Sequence, residues 1–386
     1  MDRRAFLAST VGAAMTGLTG CLVGSQLDET AGSSQVSSVA GVDLPLPEHK
    51  LTRGAPKDAI PAITDPVFAA DWRGLSVSFV DRFNNEQTIE PRLEPADRII
   101  GVERDGAARA YPLRILNWHE VVNDTFQDPL LVTYCPLCGS GVTAKRTVND
   151  TETIFGVSGY LWNSDLVMYD NLTQSLWSQI AGVAVRGPET GTSLSFVPST
   201  FTTWATWRND HPETTVLLPP PESSTVHGNE ATRDYTTNPY AGYEQSSEIG
   251  IGANETPAET RGLHPKAPVL GIVSNGAAKA YPLERVKTAG VINDTVGDLP
   301  VVVTVAADDR TLVGYIRRID GAIVRFERAS ETHMRANGSR WKITTGQAVD
   351  GPHAGMTLTR ASDNGQMMWF AWLDFQSDTD VYTDDQ

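Results

Sequence analysis

The sequence predicts a mainly β protein of the α+β class, built as two tandem pseudo-symmetric repeats of short strands with brief helices. Residues 101–134 and 271–305 carry the same pattern: Tyr-Pro-Leu at 111–113 recurs at 281–283, and Val-Asn-Asp-Thr at 122–125 recurs as Ile-Asn-Asp-Thr at 292–295. Short apolar runs alternate with Gly, Asn, Asp and Pro, which is typical of short strands joined by turns. A chain of 386 residues is also long enough for two domains.

The first repeat is predicted to span residues 61–218. Asp105-Gly106 predicts a hairpin, and Pro112 is expected to begin a short helix that ends near Glu120. The other predicted elements are strands at 98–103, 107–111, 130–134, 142–148, 153–157, 166–169, 175–178 and 194–197, and a second helix at 202–209.

Residues that both copies keep are interpreted as structural. The tryptophans at 177, 204 and 207 recur at 341, 369 and 372, and we expect all six in the core. Asn123-Asp124 is interpreted as turn chemistry, and Tyr111 as a packing residue.

The second repeat is predicted to span residues 262–386 and contains no cysteine. Residues 219–261 are predicted to form a linker that begins with three prolines. Tyr235, Tyr240 and Tyr243 make this linker too aromatic for pure disorder, so part of it is expected to pack on a domain.

Residues 1–21 are predicted to be a twin-arginine export signal with a lipobox. Arg3 and Arg4 precede a short apolar stretch that ends in Leu-Thr-Gly-Cys, with Cys21 as the lipidated residue. Residues 22–60 would then be a flexible tether and lead-in. The prediction is a protein exported by the twin-arginine route and held by lipid on the outer face of the cytoplasmic membrane. The alternative is a plain signal with a chance cysteine.

The charge balance argues against a nucleic-acid partner. The formal net charge is −16, and no basic stripe offsets phosphate repulsion. Lysine is scarce, and an acidic, lysine-poor surface favours a halophilic source, where salt screens self-repulsion. An ordinary acidic protein is the alternative.

The segment Cys135-Pro-Leu-Cys138-Gly is the sharpest chemical feature. A metal site is one interpretation, because two thiols at this spacing can bind one ion, although a second cysteine pair is missing. A redox dithiol is another interpretation. A helix is not expected after the second cysteine, because the sequence there is rich in glycine and β-like, so the analogy with thioredoxin sites is weak and thiol exchange would need another scaffold. The third is a structural disulfide in an oxidising compartment.

His119 is the leading candidate for a further ligand or a proton partner, because it falls opposite an alanine in the second copy. Met168 is a candidate soft ligand. With a thioether the set would suit copper, and with an oxygen ligand it would suit zinc. Predicted wall residues of the site are Asn117, Trp118, Asn163, Ser164 and Asp165. A satisfied structural histidine and an ordinary hairpin loop are the alternatives.

Several long segments together resemble one known family. YPLRILNWHEVVND, VTYCPLCGSGV, FGVSGYLWNSDLVMYD and SLWSQIAGVAVRGP are similar to the family described as domain of unknown function 3179. The likeness covers most of the chain after about residue 60. It implies an exported or anchored protein with this cysteine segment, and it implies no activity.

The functional hypothesis is an extracytoplasmic lipoprotein with a metal or redox site formed by Cys135, Cys138 and His119. A metal or redox partner protein is not identified, and whether the chain is an enzyme stays open. The alternative is a non-catalytic surface binding or scaffold module whose two cysteines form a disulfide.

Overall fold

Strands dominate the structure, a computed structural model that describes residues 35–81, 83–226, 231–251 and 261–383. The α+β, mainly β class is confirmed. Four seven-residue α-helices lie among the described residues: α1 Leu113–His119, α2 Trp204–Asp210, α3 Leu283–Ala289 and α4 Trp369–Phe375. None of the helices in this part of the chain is long and apolar enough to cross a membrane. The leader residues Arg3, Arg4 and Cys21 lie outside the described residues.

Nineteen strands precede residue 219 in the described part of the chain. They are β1 Ser38–Val39, β2 Val42–Asp43, β3 Thr52–Arg53, β4 Phe68–Ala69, β5 Val77–Val80, β6 Glu86–Ile89, β7 Arg98–Arg104, β8 Ala107–Pro112, β9 Val121–Phe126, β10 Asp128–Cys135, β11 Ser140–Lys145, β12 Thr147–Val148, β13 Thr151–Glu152, β14 Phe155–Trp162, β15 Asp165–Asp170, β16 Leu176–Ser178, β17 Val183–Arg186, β18 Thr200–Thr203 and β19 Thr215–Leu217.

A further set of strands follows residue 261. They are β20 Pro268–Ser274, β21 Ala277–Pro282, β22 Val291–Val296, β23 Leu299–Val305, β24 Leu312–Ile316, β25 Arg318–Ile319, β26 Ala322–Ile323, β27 Glu327–Arg328, β28 His333–Ala336, β29 Ser339–Lys342, β30 Met367–Met368 and β31 Asp380–Val381.

The sheets before residue 219 and after residue 261 have the same strand order. In the first part, β7 and β8 form an antiparallel hairpin. Strand β18 pairs with β7 in antiparallel orientation, and β19 pairs with β8 in parallel orientation. In the second part, β30-β20-β21-β31 do the same. The three-stranded sheets β11-β10-β9 and β24-β23-β22 also correspond.

Local sequence explains these elements. Asp105 and Gly106 have φ of +47° and +79°, as a two-residue hairpin turn with right-handed strand twist requires. Thr203 caps α2 by accepting a hydrogen bond from the Thr206 amide at 3.3 Å. Trp207 packs directly over Gly101, where an added Cβ would lie 2.5 Å from the ring.

Two expectations about particular residues were wrong. Asn123 and Asp124 lie inside strand β9 and not in a turn. Asn123 binds the backbone of residues 63 and 155, while Asp124 accepts a 2.5 Å hydrogen bond from the Tyr111 hydroxyl. Tyr111 therefore has a polar role beside its packing role. Residues 194–197 do not form the predicted strand, because Phe196 makes only an isolated bridge with Ala144.

Residues before position 219 and after position 261 share one hydrophobic cluster. Cys135, Cys138 and Trp162 belong to it together with Trp369 and Phe375 of the second part. Residues 231–251, called the tyrosine segment below, pack on this region through Tyr243. The cysteines are therefore enclosed by three distant stretches of the sequence.

Candidate metal centre

The CPLC turn, Cys135–Cys138, connects two antiparallel strands. Cys135 ends β10 and pairs with Ser140, the first residue of β11. Gly139 allows this reversal because it adopts a φ of +61°, which costs glycine little. A strand follows the turn, so the helix N-terminus that lowers the thiol pKa in thioredoxin-like sites is not formed here.

Both thiols of the CPLC turn are free and buried. Cys135 is 2% exposed and Cys138 is 0% exposed. The Cys135 Sγ donates to the Ser164 carbonyl oxygen at 3.4 Å. The two sulfur atoms and a carboxylate oxygen of Asp165 all lie within 4.8 Å of one another. In the described residues, this is the one group of three such side chains that could hold a metal ion.

Asp165 reaches the thiols through a tight β14–β15 hairpin. Trp162 pairs with Asp165, and the two turn residues between them, Asn163 and Ser164, have φ of +51° and +65°. Positive φ at both turn positions is the geometry that matches strand twist. The turn thus places the Asp165 carboxyl in the interior, where the residue is 0% exposed.

Hydrogen bonds hold the Asp165 carboxyl in place without removing the cost of its burial. Ser178 Oγ donates to it at 2.6 Å and the Ile180 amide at 3.3 Å. Burial nevertheless raises the pKa of Asp165 to about 7. Burial also raises the pKa of the Cys138 thiol, and the neighbouring Cys135 and Asp165 add to this. A cation would reverse these shifts, because it favours the ionised forms.

A second carboxyl, that of Asp374, approaches from helix α4. Its Oδ2 is buried and has no hydrogen-bond partner. Burial raises the pKa of Asp374 to about 7, and this carboxyl contributes to the raised pKa of Cys138. Helix α4 is held at the CPLC turn because the Met368 amide donates to the Cys138 carbonyl oxygen at 2.8 Å.

A third buried carboxyl belongs to Glu120. The residue is 6% exposed, and its backbone adopts a φ of +59° directly after α1. The equivalent position after α3 is occupied by Gly290. A left-handed conformation is costly for a residue with a Cβ and often marks a functional position. Burial raises the pKa of Glu120 to about 8, the Tyr240 hydroxyl opposes this in part, and the charge of Asp165 adds to it.

His119 lies in a different environment from the one that the sequence suggested. Its Nδ1 is 2.8 Å from the Pro61 carbonyl oxygen and its Nε2 is 2.9 Å from the Tyr235 hydroxyl. Burial lowers the pKa of His119 to about 3. Both ring nitrogens are thus engaged, and His119 is not a member of the cluster of Cys135, Cys138 and Asp165.

Met168 lies on the opposite face of β15 from the Asp165 carboxyl. Alternate residues of a strand share a face, and Met168 pairs with Trp177, whose Nε1 donates to Asp170 at 3.0 Å. The Asp165 carboxyl instead meets Ser178, the next residue of β16. The thioether is therefore buried in the same core without joining the cluster.

The remaining predicted wall residues are spread around the site. Ser164 is closest, because its carbonyl binds Cys135 and its hydroxyl donates to the tyrosine segment at 3.2 Å. Asn163 precedes it in the same turn. Asn117 donates to Asn238 at 3.1 Å on the partly exposed end of α1. Trp118 packs in the core of the first part of the chain, and its buried Nε1 has no partner.

Sequence reasoning missed Glu120, Asp374 and Tyr240. The signal for Glu120 was available: in the alignment of the two copies, a glutamate replaces the glycine that ends the helix. Asp374 and Tyr240 carry no such local signal, because they reach the site only through packing of α4 and of the tyrosine segment.

The fold and this cluster define a mainly β protein with a buried thiol–carboxylate centre. A family model described as Protein of unknown function (DUF3179) matches residues 57–379. Because the match covers most of the chain, the protein belongs to the DUF3179 family. Comparisons with curated proteins and with solved structures returned no match.

Proposed function

We propose that the protein holds a divalent metal ion at Cys135, Cys138 and Asp165. The observation that carries this proposal is the convergence of two sulfur atoms and a carboxylate oxygen within 4.8 Å of one another in the interior. Two thiolates and a carboxylate suit zinc, which accepts sulfur and oxygen ligands in tetrahedral sites. Copper is less favoured by this set, because Cu(I) prefers thiolate and thioether ligands to carboxylates.

The raised pKa values of the buried thiol and carboxyl groups support a metal-bound cluster over one without an ion. Burial raises the pKa of Asp165 to about 7 and also raises that of the Cys138 thiol, so both groups hold protons more tightly than exposed ones do. Buried ionised groups without a counter-charge are costly. A bound ion would displace these protons and supply the missing positive charge. The carboxyls of Glu120 and Asp374 lie outside the cluster, but they interact with it electrostatically, because Asp165 raises the pKa of Glu120 and Asp374 raises that of Cys138.

Burial disfavours thiol–disulfide exchange as the main function. An exchanging cysteine needs an accessible sulfur with a lowered pKa, whereas Cys138 is 0% exposed and its pKa is raised. A four-residue loop also gains little from a disulfide, since little chain entropy is removed.

We further propose that the chain arose by tandem duplication, with repeats at 61–218 and 262–386 and a linker at 219–261. Matched side-chain interactions support this. Tyr111 donates to Asp124 as Tyr281 donates to Asp294. Equivalent bonds join Asn123 to the amide of Phe155 and Asn293 to that of Phe326, and Trp207 to Thr214 and Trp372 to Thr379.

Export and lipid anchoring are part of the proposed function and depend on the leader sequence alone. Arg3-Arg4, the short apolar stretch and Cys21 support them. Fractionation of cells that express the chain tests the proposal: a Cys21→Ser variant should leave the membrane fraction, while a Cys135→Ser variant should stay. Retention of the Cys21→Ser variant in the membrane would refute lipid anchoring.

Elemental analysis of the purified protein, with a thiol count before and after reduction, tests the metal site. We expect stoichiometric metal in the wild type and its loss in a Cys135→Ser/Cys138→Ser variant and in Asp165→Asn. Met168→Leu is the matched control, because it alters a buried sulfur residue outside the cluster, and it should retain metal. A metal-free wild type whose thiols become titratable only after reduction would instead favour the disulfide-bearing binding module.

A further inference from the structure

A cavity of about 350 Å³ borders the outer side of the CPLC turn. Its lining includes Tyr134 and Pro136, the two neighbours of Cys135. Its walls come from β7 and α1, from the tyrosine segment and from the second part of the chain. A cavity of this size accommodates a small metabolite.

Arg98 is one of the residues that line the cavity. Its guanidinium lies 3.9 Å from the centre of the Phe201 ring. The Nη2 atom is buried and has no hydrogen-bond partner. An unpaired buried donor costs about 1–3 kcal/mol, and more when it is charged. Because Arg98 lines the cavity, a ligand bound there would satisfy this donor once the side chain turns toward it.

Two further arginines line the same cavity. Arg114 donates through its Nε to Asp97 at 2.6 Å. Arg310 is an exposed residue of the second part of the chain, placed just after the loop that corresponds to the CPLC turn. Among the described residues, the carboxylates in the lining are Asp97, already bound to Arg114, and the exposed Glu244. Three cations and two anions leave the lining with one excess positive charge, in a protein whose net charge is −16.

We propose that this cavity binds a small oxyanion, a carboxylate or a phosphate, with Arg98 as its main partner and Arg310 at the entrance. The planar guanidinium offers paired donors that match both kinds of anion. Tyr134 and Tyr240 also line the cavity. The ligand would therefore lie beside the metal centre, on the other side of the turn that carries Cys135. This proposal does not depend on occupancy of the metal centre.

Isothermal titration calorimetry of the full chain with succinate and, separately, with inorganic phosphate tests the proposal. In a buffer with about 0.15 M chloride, where the Debye length is about 8 Å, we expect saturable binding of at least one of the two. The arm that binds identifies the ligand class. Arg98→Gln and Arg310→Gln should each weaken that binding about tenfold or more, as expected for a charge-assisted hydrogen bond.

Controls separate a specific site from general attraction and from the metal. Arg318→Gln removes an exposed arginine that does not line the cavity, and it should leave binding unchanged. The Cys135→Ser/Cys138→Ser variant should still bind the anion, which distinguishes this site from a metal-bound anion. Circular dichroism confirms folding, and the exposed Arg310 keeps the test valid if Arg98→Gln is unstable. Absence of saturable binding, or equal loss in Arg318→Gln, overturns the proposal.

Discussion

The raised pKa of Glu120 predicts a specific pH dependence of stability. Its pKa rises from an ordinary 4.5 to about 8 in the folded state, mainly through burial. Between these values the unfolded chain releases the proton and the folded protein keeps it, so stability falls as pH increases. The contribution of Glu120 to the free energy of unfolding is complete below about pH 4.5 and is lost as pH rises to about 8. With about 1.36 kcal/mol for each unit, the wild type should lose about 4 kcal/mol between pH 5 and pH 9 from this group.

The Glu120→Gln variant isolates this contribution, because glutamine has a similar shape and does not ionise. Urea denaturation of metal-free protein at pH 5, 7 and 9 should show a difference in unfolding free energy between variant and wild type that grows in favour of the variant by about 4 kcal/mol. Glu284→Gln, at an exposed position of α3, should change little, as surface ion pairs contribute about 0–1 kcal/mol. Parallel stability curves for wild type and Glu120→Gln would refute the reasoning.

Two further predictions concern hydrogen bonds of single side chains. Asn123→Ala should lower the free energy of unfolding by about 3 kcal/mol and Asn293→Ala by less. The reason is that Asn123 is buried and its side chain makes three hydrogen bonds, while Asn293 is half-buried and its side chain makes two. Equal losses in urea denaturation would contradict this. Tyr243→Phe removes a 3.0 Å hydrogen bond to the CPLC turn and a 2.9 Å hydrogen bond from an amide of the tyrosine segment. The two cysteine thiols of this variant should therefore react faster with an aromatic disulfide reagent than those of the wild type. Tyr160→Phe is the control, and equal reaction rates for the two variants would argue that Tyr243 does not cover the thiols.

Elements that depend on neighbouring residues could be predicted from the sequence. The β7–β8 hairpin follows from Asp105-Gly106, and α1 follows from Pro112 with its spaced apolar residues. The six tryptophans lie in the interior, as their recurrence in both copies indicated. In each case the information is local, or lies in the comparison of the two copies.

The composition of the site could be predicted only in part, because it depends on contacts between distant segments. The sequence identified both cysteines, and Asp165 only as a wall residue, since nothing local says that β14 and β15 fold back onto β10. His119 was the natural ligand candidate from its absence in the second copy. Its ring instead pairs with Tyr235 of the tyrosine segment, a contact between residues far apart in the chain.

The second part of the chain contributes directly to the region that contains the cysteines. Helix α4 brings Asp374 towards Cys138, and the Met368 amide binds the turn. Gly139 is suited to this contact, because an added Cβ would lie 3.1 Å from the Met368 side chain. The second part of the chain therefore helps to enclose the region that contains the two cysteines.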